Sequence, residues 1–408
     1  MWRKIKNVGH LGLAVIANIC YGFPSRKIKV IGVTGTDGKT TTTWLIHHLL
    51  ESAGKKASFI TSIYAKVGGK VYDVGLHVTT PSSFQVQRLI SQAVKAGDEY
   101  FVLETTSHAL DQSRVEGVHF EIGVITNVTR EHLDYHKTYE NYLATKLSLL
   151  QNSNLWVANA DDDSFAVIKS LSDKLNRKLY SYGDSEQTNF PISKLKKWGL
   201  INLADLNYYN YAASAQVAKI VRISEYQIIK GLKSFTLPKG RLEKVFEKDF
   251  TIIIDFAHTP NAIRSALSAI RKNTLKEKGR LIHVFGSAGL RDAQKRAAMG
   301  EASASGADIS IITEEDFRTE SLEKICSEIS VGLLKNDFKF VEDKSILIKN
   351  KSFLVISDRQ EAIDFAVKIA KRDDVIVLTG KGHEKSLCRG KTEYPWSEHE
   401  AVKKALSK

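Results

Sequence analysis

The apolar run Val30-Ile31-Gly32-Val33 leads directly into Thr34-Gly35-Thr36-Asp37-Gly38-Lys39-Thr40-Thr41. Closely spaced glycines let backbone N–H groups approach an anion, and a helix opening behind them adds the positive end of its dipole. In that strand-to-helix setting Lys39 would neutralise the outer phosphates of a nucleotide, and the Thr40 hydroxyl would ligate Mg2+. Gly35, Thr36, Asp37, Gly38, Lys39, Thr40 and Thr41 are therefore the candidate nucleotide residues. The spacing departs from the common GxxxxGKT pattern, because Val33 stands where its first glycine would be and Gly32 lies one residue earlier.

Acid and imidazole groups follow two later apolar runs. Glu104-Thr105-Thr106-Ser107-His108 comes after Tyr100 to Leu103, and Asn127-Val128-Thr129-Arg130-Glu131-His132-Leu133-Asp134-Tyr135-His136 comes after Ile122 to Thr126. Taken singly such residues are unremarkable, since a glutamate at a strand end is usually solvated and a lone histidine is more often structural than a ligand. Gathered at strand ends beside a phosphate loop, they suit Mg2+.

The elements that must position these groups alternate. Short β-branched runs and helix-like segments succeed one another from Lys27 to Ala158, the pattern of a mainly parallel sheet covered by helices, with ligands beyond the carboxyl ends of the strands. Tyr208 to Val221 and Ser224 to Phe235 read as two helices closing this region, and residues 183–203 as irregular and lysine-rich. After a hinge at Leu237-Pro238-Lys239-Gly240, buried strands return at Thr251 to Asp255, Arg280 to Phe285, Asp308 to Thr313, Phe353 to Ser357 and Val375 to Thr379. The expected class is α/β, with a P-loop central ATPase domain at 29–236, a Rossmann-like C-terminal α/β domain at 237–408 and a helical extension at 1–28.

Composition narrows the function classes. The 408 residues are 43% hydrophobic and 26% charged, which excludes disorder as the main state. Fifty-nine Lys and Arg against 46 Asp and Glu give a formal net charge of +13 and favour anionic partners. The basic residues are spread thinly and carry no aromatic platform, so no nucleic-acid partner is expected. No apolar run reaches the roughly 18–20 residues of a membrane span, and no small-residue cleavage site follows Leu11 to Cys20. Three scattered cysteines, Cys20, Cys326 and Cys388, argue against a disulfide framework or a zinc site. A cytoplasmic protein, without stable membrane insertion and acting as a monomer, is the expectation.

With these blocks in order, the chain resembles the Mur ligases and their relatives, the folylpolyglutamate and cyanophycin synthetases, which use ATP to join a carboxylate to an amine. The GxTGTxGKTT loop is similar to theirs, and the Glu104 and His132 blocks resemble those of the ligases that build the muramyl tripeptide, with Glu131 in place of an aspartate. The resemblance implies Glu104 and His132 as metal ligands. Tyr142-Leu143-Ala144-Thr145-Lys146 resembles the family's YxxAK helix, which implies that Lys146 is carbamylated and becomes an anionic Mg2+ ligand; by spacing alone it would be a surface lysine. Thr40, Glu104, His132 and carbamylated Lys146 would then hold two Mg2+ ions, and Lys39, Glu104, His132 and Lys146 would be the catalytic set.

Further blocks extend the resemblance. Asn207 and Asn210 match an element that meets adenine, although as plain helix caps they would attract no notice. Gly240-Arg241 places Arg241 on the ATP phosphates, and Asp255-Phe256-Ala257-His258 places Asp255 and His258 at the nucleotide. Thr79-Thr80-Pro81 resembles a block that contacts a muramyl peptide, and spacing alone reads it equally well as a helix start. Ser107, His108 and Arg114 join Thr79 and Thr80 as candidate substrate contacts. Gly286 with Arg291-Asp292 and Lys295-Arg296, then Asp358-Arg359 and Gly380-Lys381-Gly382-His383-Glu384, complete the series.

The resemblance implies attack of a substrate carboxylate on the γ-phosphate of ATP, then displacement of phosphate from the acyl phosphate by an amino acid. Closure about Pro238 would shield that intermediate from water. Two departures stand out. Only about 28 residues precede the first strand, so the N-terminal domain that takes the uridine nucleotide is expected to be missing, and Ile5 to Cys20 is expected to form one amphipathic helix, packed on the central domain or resting on a membrane surface. Glu315-Asp316-Phe317-Arg318 replaces the DNPR of diaminopimelate-adding enzymes. Arg318 can still pair with an amino-acid carboxylate, and Asp316, Gly380 and Glu384 join it at the acceptor. Diaminopimelate is the expected acceptor and a muramyl dipeptide, nucleotide-linked or not, the donor. Competing readings are the same chemistry on a cyanophycin-like or polyglutamyl chain, or an ATP-binding protein that ligates nothing.

Overall fold

The computed structural model describes residues 2–75, 80–200, 208–342 and 350–408, and the chain divides into two compact units, Met1–Thr236 and Leu237–Lys408. The first unit opens with helix α1 (Trp2–Cys20) and a 3-10 turn at Pro24–Arg26. Its sheet is built from β1 (Lys29–Thr34), β2 (Ala57–Ile60), β3 (Ala65–Val67), β4 (Lys70–Tyr72), β5 (Tyr100–Glu104), β6 (Phe120–Ile125), β7 (Ser153–Asn159), β8 (Lys178–Gly183) and β9 (Phe190–Pro191), in the order β4-β3-β2-β5-β1-β6-β7-β8-β9. The β3 and β4 pairings are antiparallel and the rest parallel.

β1 lies at the centre, between β5 and β6, and its residues Val30 to Thr34 are all buried. A strand covered on both faces must be apolar throughout, which is why this segment reads as a continuous run with no alternation. Helices α2 (Lys39–Ser52), α3 (Ser83–Lys95), α4 (Ser107–Asp111), α5 (Leu133–His136) and α6 (Tyr139–Gln151) follow strands and carry the site. Their starts are fixed by side chains: Ser82 and Gln85 form a reciprocal capping box on α3, Thr106 accepts from Ala109 N on α4, and Thr138 accepts from Asn141 N on α6.

The second unit holds a seven-stranded sheet of β10 (Glu243–Glu247), β11 (Thr251–Ile254), β12 (Leu281–Phe285), β13 (Ile309–Ile312), β14 (Lys339–Phe340), β15 (Ser352–Val355) and β16 (Val375–Leu378), ordered β10-β11-β16-β12-β13-β15-β14, with only the β10–β11 pair antiparallel. A hairpin of β17 (Ser386–Arg389) and β18 (Thr392–Pro395) follows. Apolar clusters cover this sheet on both faces, one around Leu267, Phe285 and Ile329 and the other around Val284, Ile363 and Leu378.

The segment 183–203, expected to be irregular, contains β9 and a short helix Ser193–Lys197 anchored by the buried Leu195. Helix α1 begins at Trp2, earlier than expected, and packs on the first unit through Ala14, Ala17 and Asn18, while Leu11, Val15, Ile16 and Ile19 stay exposed. Among the described residues no helix is long and apolar enough to cross a membrane.

Candidate active site

The loop between β1 and α2 is clamped by residues just after β6. Thr36 N donates to Asn127 O (2.8 Å), Asp37 N to Asn127 Oδ1 (2.9 Å), and Thr126 Oγ1 and Asn127 Nδ2 donate to Asp37 O (2.6 and 3.1 Å). Gly35 and Gly38 sit at φ +152° and +80°; a Cβ there would meet Thr126 Oγ1 at 1.9 Å and Asn210 Oδ1 at 2.2 Å, so only glycine fits both turns. Gly38 caps α2 without a side-chain hydrogen bond, which leaves the first-turn amides available to an anion. Lys39 Nζ curls over the loop onto Thr36 O (2.7 Å) and Gly35 O (3.1 Å). Thr41 is buried in the first turn of α2. Asn210 accepts from Thr42 Oγ1 at 3.2 Å, which places it against the same turn. Thr79 and Asn207 lie outside the described residues.

Thr40 Oγ1 donates to Glu104 Oε1 (2.9 Å), and Ser62 N donates to Glu104 Oε2 (2.9 Å). Lys146, 1% exposed, donates from Nζ to Gly35 O at 2.5 Å, so the side-chain nitrogens of Lys39 and Lys146 converge on one carbonyl. Burial first, and then the neighbouring Lys39, push the Lys146 pKa well below the ordinary lysine value, which favours the neutral amine. The Tyr142 ring lies 4.5 Å beneath that nitrogen, and its hydroxyl pairs with Thr36 Oγ1 at 3.2 Å.

A wall of aromatic and imidazole rings stands on α4 and α5. The His108 ring is 4.8 Å from that of His132 and 4.2 Å from that of Tyr135, and His136 Nε2 is paired with Ser107 Oγ at 3.0 Å. His132 holds φ +55°, a left-handed conformation that costs a non-glycine residue roughly 1–2 kcal/mol and turns the chain sharply into α5. Thr80 Oγ1 donates to Glu104 O (3.1 Å), and Arg114 Nη1 donates to Thr80 O (2.8 Å).

In the second unit the candidate residues lie beyond the carboxyl ends of β11, β13 and β16. Asp255 clamps its own loop, accepting from Leu242 N (2.8 Å) and Ala257 N (2.7 Å). Burial raises its pKa against the opposing pull of Arg241. Arg241 lies 4.7 Å over the Phe256 ring, and His258 Nδ1 pairs with Phe256 O at 2.9 Å. Lys381 is fully buried and bridges Asp316 Oδ1 (2.8 Å) and Glu384 Oε2 (2.5 Å). Arg318 Nη1 donates to Gly289 O (2.9 Å) and Asp316 O (3.3 Å). Gly380, at φ +100°, brings the backbone against Glu315 Oε2, and burial raises the Glu315 pKa.

This donor set suits the groups the sequence implies. A hydroxyl paired with a carboxylate is hard-oxygen chemistry of the kind Mg2+ takes, with waters and substrate phosphate filling its octahedron. Among the described residues no three His, Cys, Asp or Glu side chains gather as a metal site by themselves. A buried neutral amine is also the form of lysine that attacks CO2. Sequence reasoning missed the supports: Ser62, Thr126 and the Thr36 partner Tyr142 carried no role, and Asn127 was visible only as the first letter of its block.

Chain comparisons agree with this geometry. Residues 33–222 match the Mur ligase middle domain and residues 240–382 the Mur ligase, glutamate ligase domain. UDP-N-acetylmuramoyl-L-alanyl-D-glutamate--2,6-diaminopimelate ligase 1 of Clostridium acetobutylicum is 36% identical over 97% of this chain and 81% of its own length. The UDP-N-acetylmuramyl-tripeptide synthetase of Deinococcus radiodurans is also 36% identical, over 95% of this chain and 79% of its own length. A solved structure of a UDP-N-acetylmuramoyl-L-alanyl-D-glutamate--2,6-diaminopimelate ligase covers 93% of this chain and 78% of that one, at 26% identity and a TM-score of 0.56. With the phosphate loop, the two sheets and these relatives in agreement, the chain belongs to the Mur ligase family of ATP-dependent acid–amino-acid ligases.

Proposed function

We propose that this chain joins an amino acid, diaminopimelate first among candidates, to a UDP-linked muramyl dipeptide in peptidoglycan synthesis, working as a cytoplasmic monomer. The observation that carries the reading is the convergence of Lys39 and Lys146 on Gly35 O beside the phosphate loop, where the Thr40–Glu104 pair also begins. A carboxylate oxygen of the donor attacks the γ-phosphorus of ATP, ADP leaves, and the amine then attacks the acyl phosphate carbonyl. Phosphate departs, and the new amide nitrogen loses its proton.

No side-chain nucleophile is needed, so the chain's residues position groups and offset charge. Lys39 moves from the loop carbonyls to the outer phosphates. Tyr142 holds Thr36, and Asn127 holds Asp37, so that the loop amides keep their aim. Mg2+, when bound, supplies neutralisation of the phosphate charge, and Thr40, Glu104, His132 and the carbamate of Lys146 would hold the two ions. The other site residues take the roles the sequence suggested. Asn207, Asn210, Arg241, Asp255 and His258 meet the nucleotide, and Thr79, Thr80, Ser107, His108 and Arg114 meet the muramyl peptide. Asp316, Arg318, Gly380 and Glu384 meet the acceptor, whose carboxylate Arg318 would take in exchange for its present carbonyl partners.

The test is phosphate release from Mg-ATP with UDP-MurNAc-L-Ala-D-Glu and a panel of amino acids that includes meso-diaminopimelate and lysine, with products identified by mass. Diaminopimelate-dependent release with a tripeptide product is expected. ATP binding without amine-dependent turnover across the panel would overturn the reading.

A further inference from the structure

The ligase reading gives helix α1 no task, yet one of its side chains reaches the imidazole wall. Ala14 and Ala17 are buried, and Asn18 Nδ2 donates to Glu116 O at 2.8 Å, which fixes the end of the helix on the unit. Nearer its start, Asn7 Nδ2 donates to Asp111 O (2.8 Å) and to Asp111 Oδ2 (3.1 Å). Asp111 is the last residue of α4, the helix that begins Ser107-His108. The same Oδ2 accepts from Tyr135 Oη at 2.7 Å, and the Tyr135 ring lies 4.2 Å from that of His108. Gln112 extends the network, donating from Nε2 to Tyr135 Oη (3.4 Å) while its Oε1 accepts from Arg114 Nη2 (2.7 Å).

We propose that Asn7, acting through Asp111 and Tyr135, is a positioning residue for the carboxylate-donor site, so that α1 forms part of that site. The inference rests on the assignment of His108 and Arg114 to the donor under Proposed function. One carboxylate oxygen receives both donors, and hydrogen bonds to an ionised acceptor are the strong, geometry-fixing kind. Asn7 therefore ties a helix distant in sequence to the orientation of Tyr135, whose ring contacts that of His108 at a tilt of 42°.

The test uses the full chain with Asn7→Ala, Tyr135→Phe and the double substitution. Misplacing a reacting group by about 1 Å costs up to about 100-fold, so a loosened wall should raise the donor KM about tenfold while the ATP KM stays within about twofold. The double variant should lose less than the sum of the two single losses, because both donors meet the same carboxylate oxygen and act through one network. Hydrogen exchange supplies a readout that needs no substrate: both variants should speed exchange at residues 107–112 and 133–136 and leave residues 35–41 unchanged. Additive losses, an unchanged donor KM with unchanged local exchange, or faster exchange throughout the first unit would overturn the proposal. If the wild-type chain turns over no muramyl donor, the proposed function falls by itself, and the exchange pattern still decides whether Asn7 braces the wall.

Discussion

Lys146 and Lys381 are both essentially removed from water, at 1% and 0% exposure, and the two units of the molecule treat them in opposite ways. Lys146, on α6, meets a carbonyl and an aromatic ring, and burial first, then the neighbouring Lys39, take its pKa well below the lysine value against the pull of Glu131 and Asp37. Burial pulls Lys381 down as well, but Glu384 and Asp316 more than offset it, and its pKa ends above the ordinary value. Burial lowers both lysines, and close carboxylates reverse its effect only at Lys381. In the first unit the lysine's surroundings favour the neutral amine, and in the second they favour a cation that ties the Glu315–Arg318 turn to the loop after β16.

That contrast is open to attack, most severely at Lys146. Lys146→Met should lower turnover by about 1000-fold, the upper scale for losing one preorganised group that stabilises transition-state charge, and should move Tm less than Lys381→Met, because Lys146 Nζ bonds a carbonyl where Lys381 bonds two carboxylates. Lys381→Met should act the other way round. It removes the buried ammonium that Asp316 and Glu384 share, a loss of up to about 3–5 kcal/mol that a urea titration would read directly. Equal effects of the two substitutions on stability would end the comparison.

Their pH dependences should also diverge. Lys146 has a depressed folded pKa, so between that value and the ordinary 10.5 the unfolded chain binds the extra proton, and wild type gains on Lys146→Met as pH rises, by at most about 1.4 kcal/mol per unit. Lys381 has a raised folded pKa, so its contribution is fully present below 10.5 and is lost only as pH climbs through the folded value. Urea midpoints from pH 7 to 10 should show a slope for the first pair and none for the second. The smallest effect is expected at Asn127→Ala, which frees Asp37 from two bonds and should cost about 1–2 kcal/mol of stability, with weaker ATP binding by calorimetry.

Much of this was legible in the sequence where the information is local. The run from Val30 into Lys39 announces a strand, a turn and a helix within a dozen residues, and helices Tyr208–Ile220 and Glu225–Ser234 follow their apolar spacing. The segment 183–203 was misread because two strand residues and five helical ones with a single buried leucine give no period to detect. Strands β3 and β4, three residues each, are likewise too short to show a period. At the site, residue types pointed to the loop, Glu104 and His132, but the clamp of Asn127 on Asp37 spans 90 residues, and the pairing of Thr36 with Tyr142 spans 106. Such contacts exist only once the sheet has assembled. Lys146 on its own reads as a solvated helix lysine, and its burial is a property of the fold.

The carbamylation proposed for Lys146 can be tested by supplying 13C-labelled bicarbonate to the wild-type chain and to Lys146→Met and recording carbonyl 13C spectra, with turnover followed in parallel as bicarbonate is removed. A carbamate resonance present in wild type and absent from Lys146→Met, with activity falling as bicarbonate is depleted, is the predicted result. Full activity in bicarbonate-free buffer, with no resonance that depends on Lys146, would contradict it.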